Sequence, residues 1–258
     1  MRTLLLDADI IAYKFAFTAE EAIEWDEGLW TLHAWLEPTA AQLDDYIAGL
    51  VGHLDATDVI VCLTDKANFR KSVLPTYKAN RSGKRAPMLL RPLKDHMAEN
   101  YPTYQRPGLE ADDVMGILST SKKIVTGERI IVSSDKDMKT IPGLLFNPDK
   151  DRKVRNIPVG MANYWFLTQT LTGDKTDGYA GCPGCGPKTA AKILNEFLCD
   201  DTTFDAPSAW SAVLDAYAKK GLGPEEALVQ ARVARILRAR DYDFKNKEVI
   251  LWTPPKTE

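Results

Sequence analysis

Carboxylates are the residues of this chain whose type and spacing point to chemistry. The stretch GLEADDVMGIL, residues 108–118, puts Glu110, Asp112 and Asp113 within four positions. One acid in the first turn of a helix complements the helix dipole, but three close together repel and call for positive charge. The same residue type recurs at Asp7 in LLLDAD, Asp65 in CLTDK, Asp135 and Asp137 in SSDKD, and Asp174 and Asp177 in TGDKTDG. Singly, each has an ordinary reading. Asp7 suits a strand-end cap, SSDKD a turn, and GDKTDG an N-cap or calcium-like loop. Together they make up to nine oxygen ligands with no His or Cys implied, a set suited to the hard ions Mg²⁺ or Mn²⁺. Two such ions about 4 Å apart clamp the attacking and leaving oxygens of a phosphodiester, and one of them lowers the pKa of bound water.

A second feature is cationic. The net charge is −3, from 33 Lys and Arg against 36 Asp and Glu. Nine of the cations, Lys66, Arg70, Lys71, Lys78, Arg81, Lys84, Arg85, Arg91 and Lys94, fall in one stretch without an acid, leaving 24 against 36 elsewhere. A basic segment in an acidic chain points to a local polyanion, with a solvated surface loop as the bland alternative. A third feature is the loop GDKTDGYAGCPGCGPKTAAKIL. Its Gly178, Gly181, Gly184 and Gly186 allow backbone to approach a ligand closely, and Lys188 and Thr189 open the helix that follows. Helix-start N–H groups favour phosphate oxygens, so this loop suits a nucleic-acid backbone rather than bases.

These groups need a scaffold. RTLLLDAD, DVIVCLTDK and ERIIVSSDKD read as short buried strands ending near Asp7, Asp65 and Asp135. None alternates with period two, which suits a parallel sheet covered on both faces. Helical stretches at about 39–54 and 111–119 separate them, the alternation of an α/β domain. Ligands of such sheets bind beyond the carboxyl ends of the strands, where these acids lie. The acidic, aromatic stretch 20–37 could turn a hairpin at Asp-Glu-Gly, without a chemical role to assign it. GLLFNPDKDRKVRNI reads as another hairpin. MANYWFLTQTLTGD reads as a helix, and PKTAAKILNEFL as a second with Pro187 in its first turn. The tail suggests one long helix, about 224–238, and a last strand, KEVILW.

The totals are those of an ordinary globular protein of 258 residues, 45% apolar and 27% charged, enough for one domain or one plus an appendage. No apolar run approaches the roughly 20 residues of a membrane span. The opening leucines stop at Asp7, too soon for a signal peptide, so a cytoplasmic protein without a membrane partner is expected. Cys182 and Cys185 form a CxxC among glycine and proline, with Cys62, Cys199, His33, His53 and His96 distant in sequence. Reduced thiols packed as small hydrophobes are expected over zinc or redox use.

LLLDAD, DKANFRKSVLPTYKANR, LEADDVMGIL, VSSDKDM and LTGDKTDGYAGCPGCGPKTAAKIL, in that order, resemble the 5′-nucleases: flap endonucleases and 5′-exonucleases, and most closely the bacteriophage 5′-to-3′ exonucleases. The resemblance runs from Leu4 to about Leu194. It implies an α/β nuclease domain (1–158) followed by a helix–three-turn–helix DNA clamp and C-terminal region (159–258). It implies one metal site from Asp7, Asp65, Glu110 and Asp112, and a second from Asp113 or its neighbours with Asp135, Asp137, Asp174 and Asp177. Residues 66–94 correspond to an arch over a single-stranded 5′ end, shortened here and carrying Pro75, Pro87 and Pro92. Lys78 corresponds to the catalytic lysine and Arg81 to a basic residue beside it. Lys71, Tyr77, Lys84, Arg85, Gly184, Gly186, Lys188 and Thr189 would contact DNA. In the family the clamp loop often surrounds a K⁺ ion. The implied substrates are DNA with a free 5′ end or flap, and RNA in hybrids, cut by a monomer.

Two other functions fit parts of the pattern. A haloacid-dehalogenase-type phosphatase would use DADII as its nucleophile motif and GDKTDG as its late acidic loop, leaving Glu110, Asp112, Asp113 and the glycine loop unexplained. A non-catalytic DNA-structure-binding protein would have no need of an acidic set that costs stability.

Overall fold

The computed structural model describes residues 1–81, 83 and 85–255. The first strand, β1 (Arg2–Asp7), carries Leu4, Leu5 and Leu6, all fully buried. Leu4 and Leu6 point into one core and Leu5 into the opposite one, so the pleat has apolar surroundings on both sides. This is why the run has no polar interruptions. The chain passes directly into α1 (Ala8–Thr18), with Asp7 as its N-cap. The acidic, aromatic stretch forms the antiparallel hairpin β2 (Glu21–Asp26) and β3 (Leu29–His33), with Trp25, Leu29 and Trp30 exposed. Next come α2 (Leu36–His53), β4 (Asp58–Cys62), the one-turn α3 (Arg70–Val73), α4 (Leu90–Asn100) and β5 (Thr103–Tyr104). After them are α5 (Ala111–Thr120), β6 (Glu128–Val132), and the hairpin β7 (Gly143–Phe146) and β8 (Arg155–Ile157).

The main sheet has the order β5-β4-β1-β6-β7-β8, and only the β7–β8 pair is antiparallel. It is the expected mostly parallel sheet flanked by helices. Helices α1, α2 and α4 cover one face and α5 the other. β4 pairs with one edge of β1 and β6 with the other, so the strand order reverses at β1. A crevice opens at its carboxyl end, where Asp7 lies.

Helices α6 (Val159–Thr172), α7 (Pro187–Leu194), α8 (Ala206–Ala218) and α9 (Pro224–Ala234) surround a third core. Tyr77, from the basic segment, is buried in it. Beyond α9 the chain returns to the sheet. Ile236, Leu237 and Tyr242 pack beneath α5, and β9 (Tyr242–Asp243) pairs with β10 (Glu248–Val249). The end of the expected 159–258 unit therefore packs into the core of the expected 1–158 unit.

Several element boundaries differ from expectation. The second and third strands stop at Cys62 and Val132, so Asp65 and Asp135 occupy the loops beyond them. The last helix ends at Ala234 rather than near Arg238. Arg235 turns to extended backbone and buries its guanidinium against Asp241 at 2.7 Å. The expected last strand pairs only at Glu248 and Val249. Helices α1, α4 and α8 were not legible as separate elements. The arch segment is not one helix: it contains α3, a 3₁₀ turn at Ala79–Arg81 and the start of α4.

Candidate active site

The end of β1, the loops after β4 and β6, the start of α5 and the turn after α6 meet at a cleft of about 360 Å³. Its lining includes Asp7, Asp9, Glu110, Asp112, Asp135, Asp137, Asp174 and Asp177, with Lys78, Arg81 and Lys136 as cations. Seven of the nine expected carboxylates are thus together. Asp9, also in the lining, is matched by Lys94 at 2.5 Å.

The carboxylates fall into two electrostatic groups. Asp7 is 1% exposed, and its two oxygens accept the Ile10 N–H at 3.2 Å and the Ser133 hydroxyl at 2.6 Å. Burial pushes its pKa up to about 7 although both hydrogen bonds pull it down. Asp112 is held well above the usual carboxylate range by burial and then by the charges of Asp7 and Asp135. Burial also raises Asp135, which accepts the Asp137 N–H at 2.7 Å. Asp137 rises to about 7 through burial and the Asp135 charge, and its buried Oδ1 has no partner among the described residues.

The other group is matched by protein cations. Burial works against the Glu110 charge, but Arg70, Lys78 and the Tyr77 hydroxyl outweigh it and hold the pKa at about 2. Burial likewise opposes ionised Asp174, but Lys136 at 3.0 Å and the N–H groups of Thr176 and Asp177 bring its pKa below the usual value. Asp177 accepts from Arg81 and from Tyr77 at 3.0 Å, with Lys78 Nζ at 3.6 Å.

Two expected ligands stand outside the cleft lining. Asp113 is fully buried, and its oxygens accept from both terminal nitrogens of Arg70 at 2.7 Å, from Leu237 N–H at 3.1 Å and from Glu110 N–H at 3.2 Å. Those four donors make it the buried counter-ion of Arg70. Asp65 accepts the N–H groups of Gly108 at 2.8 Å and Ala67 at 3.3 Å, and Thr64 lines the cleft in its place.

The basic segment also changes character. Arg70 is 2% exposed and joins Glu110 and Asp113 to the carbonyls of Val233 and Arg235. Lys78 pairs with Glu110, Arg81 with Asp177, Arg85 with Glu20, Arg91 with Asp95 and Lys94 with Asp9. Acids from other parts of the fold therefore match five of the nine cations, and Asp95, on the same helix, pairs with Arg91. Lys71, an expected DNA contact, is exposed. Tyr77 is not available to DNA, since it is 2% exposed and bonded to Glu110 and Asp177. Arg85 is exposed but bidentate to Glu20. Lys84 lies outside the described residues.

The loop between α6 and α7 is tightly built. A Cβ on Gly173 would fall 2.4 Å from the Ala180 carbonyl carbon, and one on Gly181 would fall 2.3 Å from Gly173 N. Both have positive φ, so only glycine fits this crossing. Gly184, Gly186, Lys188 and Thr189 are all exposed, and Gly186 caps α7. Cys182 and Cys185 are free thiols in the third core, and Cys182 Sγ donates to the Ala216 carbonyl at 3.4 Å.

Sequence reading missed Arg70 as an organiser because it looked like one more member of a charge run. It also passed over Ser133 and Lys136, although both lie within VSSDKD and were there to be found.

The donor set suits hard divalent ions. It is all oxygen, and a buried Asp137 oxygen lacks a partner. Among the described residues no three His, Cys, Asp or Glu side chains form a ready metal cage. Mg²⁺ does not demand one, because it retains waters and takes few carboxylates directly. The phosphatase alternative fares poorly: Asp7, its nucleophile, is buried and anchored by hydrogen bonds from Ile10 and Ser133, which hold the carboxylate in place rather than free it to attack. None of the described helices is long and apolar enough to cross a membrane.

A family model for the 5′–3′ exonuclease N-terminal resolvase-like domain matches residues 2–143. The exodeoxyribonuclease of Enterobacteria phage T3 is 31% identical over 97% of this chain and 92% of its own length. The exonuclease of Escherichia phage T7 is 30% identical over 97% and 93%. A solved structure of the T5 5′-exonuclease with bound zinc shares the fold, with a TM-score of 0.63 and 17% identity over 91% of this chain and 93% of that one. With that domain matching more than half of the chain, and two phage exonucleases alike over nearly all of it, the chain belongs to the 5′–3′ exonuclease family.

Proposed function

We propose that this exonuclease hydrolyses DNA phosphodiesters from free 5′ ends and at 5′ flaps with two Mg²⁺ or Mn²⁺ ions in the acidic cleft. Charge balance carries the reading. Asp9 being matched by Lys94, seven cleft carboxylates face three cations, Lys78, Arg81 and Lys136. The excess of four negative charges equals the charge of two divalent ions. Asp7, Asp112, Asp135 and Asp137, the carboxylates with raised pKa values, would hold ions together with Asp174, Asp177 and Glu110. Bound ions of this kind supply an activated water and stabilise the leaving oxygen.

The chain's own residues do the rest. Lys78, held at the edge of the cleft by Glu110 and Asp177, would address the scissile phosphate and stabilise charge growing on it. Arg81 would bind the neighbouring phosphate. Arg70 and Tyr77 fix Glu110, and through it the Lys78 ammonium. Lys71 and the exposed edge of the Gly184–Thr189 loop would hold duplex phosphates, with K⁺ as an added ligand of that loop. RNA in hybrids is a further substrate, and the enzyme works as a monomer. The two phage relatives support action in the cytoplasm of an infected cell.

The test is cleavage of 5′-labelled duplex and flap DNA in Mg²⁺ and in EDTA, with product mapping. The expected result is metal-dependent release from the 5′ end and cutting near the flap junction. Equal degradation of covalently closed circles and linear DNA, or digestion from 3′ ends, would leave only a generic metal nuclease.

A further inference from the structure

We propose that Asn80 is the positioning residue for Lys78, fastening the loop that carries the lysine onto the acidic turn Asp174–Gly178. The inference rests on the reading of Lys78 as the group that addresses the scissile phosphate. Lys78 has a φ of +54°, a left-handed conformation that is unfavourable for a residue with a side chain. Such a conformation persists only where the surroundings impose it. Here the Lys78 N–H donates to the Asp177 carbonyl at 2.7 Å. Two residues on, the Asn80 side-chain amide donates to two successive carbonyls, Lys175 at 2.9 Å and Thr176 at 3.3 Å. The two loops are seated directly on each other. A Cβ on Gly178, itself at φ +76°, would lie 3.2 Å from the Thr76 carbonyl and 3.4 Å from the Lys78 nitrogen.

Asn80 differs from its neighbours in the kind of work it can do. Arg81 also reaches the turn, through the Thr176 carbonyl at 3.4 Å and the Asp177 carboxylate, but it lines the cleft and carries charge. Asn80 is neutral, exposed and not part of the cleft lining. Any effect it has on the chemical step therefore passes through the contact between the two loops, and its dependence on Lys78 separates placement of the ammonium from placement of Asp174 and Asp177. An amide with two N–H donors can bridge successive carbonyls. An aspartate in its place would face them with an acceptor, and an alanine would not reach. The carbonyls it bonds belong to exposed residues, so water replaces the lost donor and global stability barely changes. Placement of the ammonium does change, and catalysis by a fixed charge is sensitive to small displacements.

The experiment measures single-turnover cleavage of a 5′-flap substrate by saturating enzyme, with DNA affinity measured separately in EDTA. The variants are Asn80→Ala, Asn80→Asp, Lys78→Ala and the double variant Asn80→Ala/Lys78→Ala. The expected result is a roughly tenfold lower rate for each Asn80 variant, about 1.4 kcal/mol in the barrier, with unchanged DNA affinity and melting temperature. In the Lys78→Ala background, Asn80→Ala should cost nothing further, because its effect acts through the missing ammonium. A loss of the same factor in both backgrounds, an affinity loss as large as the rate loss, or a wild-type rate for both Asn80 variants would overturn the proposal. If Lys78→Ala itself keeps the wild-type rate, the assignment of Lys78 is what fails, and the Asn80 proposal falls with it.

Discussion

Raising the pH of the metal-free enzyme should destabilise it, and a divalent ion should reverse the loss. The folded state holds the Asp7 pKa at about 7 against an ordinary value of 3.8, chiefly by burial. Between those values the folded protein retains a proton that the unfolded chain has released. The unfolded state therefore binds fewer protons, and stability falls with rising pH through this window. The difference of about three pH units corresponds to about 4 kcal/mol from this group alone, as an upper figure. Asp112, Asp135 and Asp137 shift in the same direction, but they are neighbours and titrate as one cluster, so their contributions do not simply add. Glu110 works the other way: its pKa of about 2 favours the folded state above its ordinary value, and that stability is lost only as pH falls toward 2. The two windows overlap only between the ordinary values of the two groups, 3.8 and 4.5, below the range in which Asp7 alone titrates. For a chain of this size 4 kcal/mol is roughly 8–16 °C in melting temperature. Between about pH 5 and about pH 8 roughly two of those three units are crossed, so thermal melts in EDTA should drop by up to about 5–10 °C. Added Mg²⁺ should restore the melting temperature at the higher pH and do little at the lower, where protons occupy the carboxylates. Asp7→Asn should flatten the EDTA profile. A melting temperature in EDTA that is level or rising across this range, or equal stabilisation by Mg²⁺ at both ends, would refute the argument that an uncompensated acidic cluster awaits the ions.

Asp135→Asn or Asp174→Asn should lower turnover by several orders of magnitude with the fold intact, and near-normal rates for both in saturating Mg²⁺ would remove them from the metal site. Arg70→Met should cost about 3–5 kcal/mol, read as a melting point lower by roughly 10 °C, because it strands the buried Asp113 carboxylate; an unchanged melting point would mean that Asp113 finds another partner. Duplex binding without metal should be indifferent to base sequence. If about four phosphates are neutralised, log K should fall against log salt with a slope near −4, and a slope near zero would show that the exposed lysines do not hold DNA.

The sheet was legible because its strands are buried on both faces. RTLLLDAD, DVIVCLTDK and ERIIVSSDKD have no polar alternation, and an α/β sheet is the structure in which that is stable. The acids beyond those strands followed from the same reasoning, and seven of nine meet in the cleft. The helices were less visible. α1 begins at Ala8, immediately after β1 ends at Asp7, so no loop separates the two elements and the acids at the junction mark the end of the strand without revealing the start of the helix. α4 lies partly within the basic segment, where its apolar positions Leu93 and Met97 are separated by charges.

The errors at the site share one physical cause: sequence displays local charge density, whereas the fold determines which charges meet. The segment 66–94 contains no acid, so its cations looked unpaired and available to a polyanion. In the folded chain Glu20, Asp9, Glu110, Asp113 and Asp177 reach them from four other places. Arg70 is the clearest case. Burial opposes its charge, but Asp113 and Glu110 compensate, and the buried pair ties the basic segment to both the start of α5 and the chain after α9. Asp113 was assigned to metal for the converse reason. In EADD three acids seem equivalent, yet a helix points successive residues in different directions. Asp112 is thereby turned to the cleft and Asp113 into the protein toward Arg70. The same excess of acid thus supports two separate functions. One part is neutralised by fixed guanidinium and ammonium groups that build the walls of the site. The remainder lacks a protein cation, and that remainder is where the proposed metal chemistry has to occur.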